Sequence, residues 1–263
     1  FDIHSHLFFK DLDQDLPEVL ARMKEGGVWT LTVGTELKTS KESVAFAEEH
    51  ENSYATIGLH PNHAAEEGFE KAEYEKLLES GTVVAVGECG IDYFRMTGDP
   101  AIEKKKQIDL FEKHIDFALA HDLPMMIHTR PSKGTMDAYL DVHQILSERQ
   151  REAGEKVRGN IHFFVGNVDV ARKFYDIGFT TSFTGVLTFT HDYDDVVKYA
   201  PLDMLMTETD APFAAPAPYR GRRNEPSYVK YVVGAIARIR GAKEEDVNEA
   251  VVSNAIRSFR LNT

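Results

Sequence analysis

Short apolar, β-branched runs alternate with longer stretches of helical periodicity from one end of the chain to the other. The runs read as strands at 1–5, 28–34, 53–59, 82–88, 123–128, 159–164, 178–184 and 203–209. Helix-like segments lie between them with recognisable punctuation. Thr39 with Glu42 reads as a capping box ahead of Val44 and Phe46. Asp99-Pro100 supplies an N-cap and a proline at the first helical position, opening a long helix through Ile108, Phe111, Ile115 and Leu119. Gly26-Gly27, Gly81 and Gly178 each stand just before a strand, where glycine ends helices.

Strands that alternate with helices pair in parallel. Eight such units within 263 residues match a (β/α)8 TIM barrel in count and in length. A doubly wound open sheet is the competing arrangement, but no glycine-rich phosphate loop follows the first strand. With no linker, low-complexity segment or repeat beyond the strand–helix period, the expectation is one barrel domain over residues 1–263.

Composition adds three constraints. Cys89 is the only cysteine, so no internal disulfide forms, which suits a reducing cytosol. No apolar run reaches the roughly 18 residues of a membrane helix, and no basic-then-apolar leader opens the sequence, so no membrane partner and a cytoplasmic location are expected. The formal net charge of −13 argues against a protein that coats duplex DNA by neutralising many phosphates. It is compatible with one that grips a single strand end, where bound divalent cations dominate the local field.

The chemistry sits at the strand ends. His4 and His6 are two residues apart on the first strand and so point to one side of it. Glu88, His128, His162 and Asp210 follow the fourth, fifth, sixth and eighth apolar runs. In a (β/α)8 barrel these ends meet at one mouth, the site of catalysis in such enzymes. Six potential ligands exceed the three protein ligands of a single catalytic zinc. They suffice for two cations if one carboxylate bridges, and Glu88 is the candidate bridge because its strand lies between the strand 1 histidines and those on strands 5 and 6. Two cations about 3.5–4 Å apart generate hydroxide at neutral pH and stabilise both attacking and leaving oxygens. Asp210 can bind a cation and take the proton of the nucleophilic water. Zinc, manganese and magnesium are the candidate ions, and mixed imidazole and carboxylate ligation suits zinc, manganese or iron better than magnesium.

The motifs Asp2-Ile3-His4-Ser5-His6, Gly58-Leu59-His60-Pro61, Gly87-Glu88-Cys89-Gly90-Ile91-Asp92, Ile127-His128-Thr129-Arg130, Thr207-Glu208-Thr209-Asp210-Ala211-Pro212, Tyr219-Arg220-Gly221-Arg222-Arg223-Asn224-Glu225-Pro226 and Ser253-Asn254-Ala255 resemble, in order, those of TatD-family metal-dependent hydrolases. The resemblance spans nearly the whole chain. It implies a TIM barrel of the amidohydrolase-like kind, a one- or two-metal site and cleavage of DNA phosphodiester bonds in the manner of a 3'-5' exonuclease. It further implies that His4, His6, Glu88 and Asp210 hold one cation and that Glu88, His128 and His162 hold the other. One departure concerns strand 6, where the family usually has His-Cys-Phe-Ser-Gly and this chain has His162-Phe163-Phe164-Val165-Gly166, a more apolar neighbourhood.

Expected roles follow for the remaining candidates. Asp210 and Glu88 are the catalytic pair. Glu208, two residues before Asp210, orients a ligand from behind, with His63 in a similar supporting place. His60, Arg130 and the cluster Arg220, Arg222 and Arg223 contact substrate phosphates, since barrel enzymes often bind phosphate after the last strands and arginine's planar fork suits phosphate oxygens. The expected partner is DNA, single-stranded or at its ends, and a monomer is favoured. An amide or ester hydrolase using the same metals is the alternative, with a non-catalytic metal-binding barrel further behind.

Overall fold

In the computed structural model, which describes residues 1–63 and 68–262, the eight apolar runs form eight strands. They are β1 (Asp2–Ser5), β2 (Thr30–Val33), β3 (Ser53–Ile57), β4 (Val83–Asp92), β5 (Met125–Arg130), β6 (Gly159–Ile161), β7 (Thr180–Phe183) and β8 (Leu205–Thr207). Each pairs in parallel with the next, in sequence order. The ring is drawn together where β8 returns to β1. His6 N–H donates to the Ala211 carbonyl at 2.8 Å and Asp210 N–H to the His4 carbonyl at 2.9 Å. The buried Asp2 carboxylate accepts from the Thr209 N–H at 2.8 Å and from its hydroxyl at 2.7 Å. The seam that closes the barrel therefore places His4, His6 and Asp210 side by side.

The helices are α1 (Leu16–Glu25), α2 (Leu37–Glu49), α3 (Lys71–Leu77), α4 (Pro100–Ala120), α5 (Asp137–Ala153), α6 (Val168–Asp176), α7 (Asp194–Tyr199), α8 (Val229–Arg240) and α9 (Glu244–Phe259). The main core lies where helices cover strands, with Ile57, Val86, Phe111, Ile115, Leu146 and Phe174 among its buried members. Burying such side chains, at about 1.5–3 kcal/mol each, is what holds the outer ring to the sheet. A second cluster includes Leu31, Ala85, Met126 and Met206. Met126 stands two residues before His128 on β5 and so shares its side of the strand. No helix among the described residues is long and apolar enough to cross a membrane.

Four boundaries carry information. Asp99 caps α4 as its sequence predicts, accepting from Ala101 N–H at 2.9 Å and Ile102 N–H at 3.1 Å. The predicted capping box of Thr39 with Glu42 is not formed: α2 starts earlier, capped by Glu36, and Thr39 is the residue that answers it at the third helical position. β4 runs past the predicted end at residue 88 to Asp92, with its register against β5 shifting between Val86 and Cys89. Glycine permits this. A Cβ on Gly90, whose φ is +130°, would stand 2.1 Å from the His128 carbonyl oxygen. β6 ends at Ile161 rather than near residue 164, because Phe163 has a left-handed φ of 46°, which a strand cannot carry.

Candidate metal centre

The six predicted ligands converge. From β1 and the turn after it, His4 Nε2 and His6 Nε2 lie 3.3 Å apart. Asp210 Oδ1 is 3.7 Å from the first and 3.6 Å from the second. Glu88 Oε2 is 3.5 Å from His4 Nε2. Its other oxygen, Oε1, is 2.9 Å from His162 Nε2 and 3.0 Å from His128 Nδ1. Glu88 thus faces β1 with one oxygen and β5 and β6 with the other, as a bridging carboxylate must.

The donor set fits divalent cations. Ligand atoms about 2.0–2.2 Å from a zinc-sized ion at tetrahedral angles are about 3.4 Å apart. The spacings around His4, His6, Asp210 and Glu88, between 3.3 and 3.7 Å, match that value. The backs of the rings are largely fixed by other groups. His6 Nδ1 lies 2.7 Å from the Val33 carbonyl, so it carries the proton and leaves Nε2 free to ligate. His128 Nε2 faces Asp92 Oδ2 at 3.2 Å, which turns Nδ1 toward Glu88. His162 Nδ1 faces Glu208 Oε1 at 3.6 Å.

Glu208, expected to support a ligand from behind, lies next to His162. Fully buried, it accepts from Phe163 N–H at 2.6 Å and from the Ser182 hydroxyl at 2.8 Å. These bonds hold Phe163 in its left-handed conformation beside His162 and occupy both carboxylate oxygens. The group His4, His162 and Glu208 is close enough to surround an ion. Both Glu208 oxygens are already engaged by Phe163 and Ser182.

His60 joins Glu88 and His128 in a second compact group, with its Nε2 3.4 Å from Glu88 Oε1. Its contact with Asn62 favours a donor role over ligation. Asn62 N–H donates to His60 Nδ1 at 3.1 Å, so the ring proton sits on Nε2 and points into the site. Burial, reinforced by the neighbouring His128, pulls its pKa down to about 4, keeping it neutral. Burial by itself would push the Glu88 carboxyl up. The imidazoles of His60, His162 and His128 outweigh it and hold Glu88 well below the usual carboxylate range. The bridge is therefore an anion whenever cations are offered to it.

The ligands open into a cavity of about 710 Å³ whose wall includes His63, Arg95, Arg130, Phe163, Tyr193 and Phe213. Arg130 lies over the Phe94 ring at 4.2 Å, and Arg95 reaches Asp92 Oδ2 only at 3.8 Å. The predicted arginine cluster after β8 is elsewhere. Arg220, Arg222 and Arg223 are absent from the cavity wall. Arg223 pairs with both Asp15 oxygens, at 2.7 Å through Nη2, and also donates to the Asp11 carbonyl. Arg220 rests on the Phe189 ring at 4.2 Å, and Arg222 is exposed on the surface. The neighbouring Asn224 and Glu225 are structural too, Asn224 tying Thr209 and Phe213 carbonyls together and Glu225 receiving a bidentate pair from Arg22 at 2.8 and 2.6 Å. Among the cavity residues given no role from the sequence are Arg95, Phe9 and Phe213. Arg95 and Phe213 each stand three residues after a site carboxylate, Asp92 and Asp210, a weak signal without the fold.

A sequence-family profile described as "TatD related DNase" matches residues 1–260. The chain belongs to this family. An uncharacterized metal-dependent hydrolase of Bacillus subtilis, YabD, is 39% identical over 266 residues, covering 100% of this chain and 99% of the relative. YcfH of Escherichia coli, also described as an uncharacterized metal-dependent hydrolase, is 31% identical over 270 residues, covering 99% and 96% of the two chains. Among solved structures, the TatD homologue YjjV of Escherichia coli superposes with a TM-score of 0.88 at 25% identity, covering 99% of this chain and 98% of that one. This TatD-family barrel is thus a metal-dependent hydrolase, with the fold that its strand–helix alternation predicts.

Three outcomes follow from these placements. Asp92→Asn should weaken metal binding about 10- to 100-fold, the usual cost of losing a carboxylate behind a ligating histidine, as read by chelator competition. Arg223→Ala should lower stability by less than about 1 kcal/mol, because its pair with Asp15 is half-exposed. Arg130→Ala should instead raise KM about tenfold, the loss of one charge-assisted hydrogen bond. Parallel melting curves and steady-state kinetics separate the two arginines.

Proposed function

We propose that this protein hydrolyses DNA phosphodiester bonds at strand ends, with divalent cations held by His4, His6, Glu88 and Asp210 and by Glu88, His128 and His162. The observation that carries the reading is the placing of Arg130, paired with no carboxylate among the described residues and packed on Phe94, in the wall of the cavity that the ligands open into. A cation beside such a centre recognises an anionic substrate, which a phosphodiester is and a simple amide or ester is not.

Cations bound there supply Lewis acidity, acidifying water and neutralising charge that grows on ester oxygens. The chain's own groups do the rest. Asp210, part-exposed to the cavity, takes the proton of the attacking water. His60, kept neutral by burial with its proton placed on Nε2 by the Asn62 contact, donates toward a phosphoryl oxygen. Arg130 and Arg95 hold the neighbouring phosphate, and β8 fixes Asp210 against His4 through the backbone. The apolar side of the cavity, Phe163 and Val165, favours the alternative of an acyl hydrolase.

The test is a screen of the metal-reconstituted protein, with magnesium, manganese and zinc, on single-stranded oligonucleotides and on aryl esters and amides. Cleavage of the oligonucleotides that Asp210→Asn abolishes is expected. Turnover of acyl substrates without phosphodiester cleavage would overturn the proposal.

A further inference from the structure

The cavity has two unlike walls. Arg95, Arg130 and Asn62 line the side served by β3, β4 and β5, whereas Phe9 and Phe213 line the side where β8 meets β1. Phe213 is 52% exposed although it follows Asp210 by three residues. Its backbone N–H donates to the Asp210 carbonyl at 2.7 Å, which fixes the main chain beneath the ring relative to the reacting groups. Phe9 lies nearly parallel to the His6 ring, with centroids 4.7 Å apart and planes 10° apart. Phe9 meets Phe213 edge-to-face at 6.2 Å. A ladder of rings therefore climbs from a metal ligand to the solvent and ends on an exposed aromatic.

We propose that Phe213, backed by Phe9, is the platform on which the base of the substrate's terminal nucleotide stacks. The inference rests on the phosphodiesterase reading above and assigns the half of the nucleotide that the metals and arginines leave unheld. Net charge argues for it. A protein of −13 cannot hold a polyanion by its overall field. Its cationic contacts at the mouth are few, so attraction that does not depend on charge must position the strand. Base–aromatic stacking supplies this without demanding a particular sequence, since every base offers a flat face. The two walls then divide the work, phosphate toward Arg95 and Arg130, base toward Phe213.

The test compares two single-stranded oligonucleotides that differ only in carrying a base or an abasic site at the terminal nucleotide. The wild-type enzyme should favour the base-bearing strand about tenfold in kcat/KM, mostly through KM. In Phe213→Ala that ratio should collapse toward one, and Phe213→Trp should restore it. Quenching of 2-aminopurine at the terminal position on binding should be seen with wild type and lost with Phe213→Ala. An active enzyme whose ratio and quenching are the same in wild type and Phe213→Ala overturns the platform and leaves the phosphodiesterase reading standing. A wild-type enzyme that cleaves neither strand overturns both.

Discussion

Replacing Glu88 with glutamine should remove both cations and lower kcat by at least about 10³-fold, the equivalent of about 4 kcal/mol of lost charge stabilisation. Glu88 presents an oxygen to each half of the cluster, 3.5 Å from His4 on one side and 2.9–3.0 Å from His162 and His128 on the other. Glutamine keeps the volume but not the charge, and its amide nitrogen cannot ligate. Alanine is the poorer choice, because stripping a buried anion from its surrounding imidazoles costs about 3–5 kcal/mol and risks the fold. Metal analysis beside circular dichroism checks the outcome. A Glu88→Gln protein that keeps both cations would show that the carboxylate does not bridge.

Asp210→Asn should cost about 10²- to 10⁴-fold in kcat with a much smaller change in KM, the range expected when a general base is removed. The backbone favours this substitution as a clean test. Asp210 has a φ of 55°, a conformation that asparagine adopts more readily than alanine. Its N–H bond to His4 and its carbonyl bond from Phe213 belong to the main chain and survive the change. Steady-state kinetics at saturating metal separate lost proton transfer from lost cation, since only the second is recovered by more metal.

The strand ends were legible because a period-two pattern and regular helix spacing put His4, His6, Glu88, His128, His162 and Asp210 in register before any contact was known. Asp99 was legible as a cap because capping is local. Boundaries failed where tertiary contacts decide them. β4 continues past Glu88 because two glycines let it lie against β5 at close approach, and β6 stops because Glu208, 45 residues along the chain, holds Phe163 out of line. The arginine loop was unreadable for the same reason. Arg223 looks like a phosphate ligand until Asp15, 208 residues away in sequence, is placed against it. The cavity wall carries instead Arg130, which its place after His128 already marked as a phosphate candidate, and Arg95, whose access only the folded barrel reveals.

On the proposed function, the centre needs its cations to cleave phosphodiesters. The most direct measurement is a titration of chelator-stripped protein with manganese or zinc while cleavage of a single-stranded oligonucleotide is followed. Activity should rise from background and level off at two equivalents of metal per chain. Full cleavage by the stripped protein, or a protein that binds its metal and cleaves no phosphodiester, would contradict it.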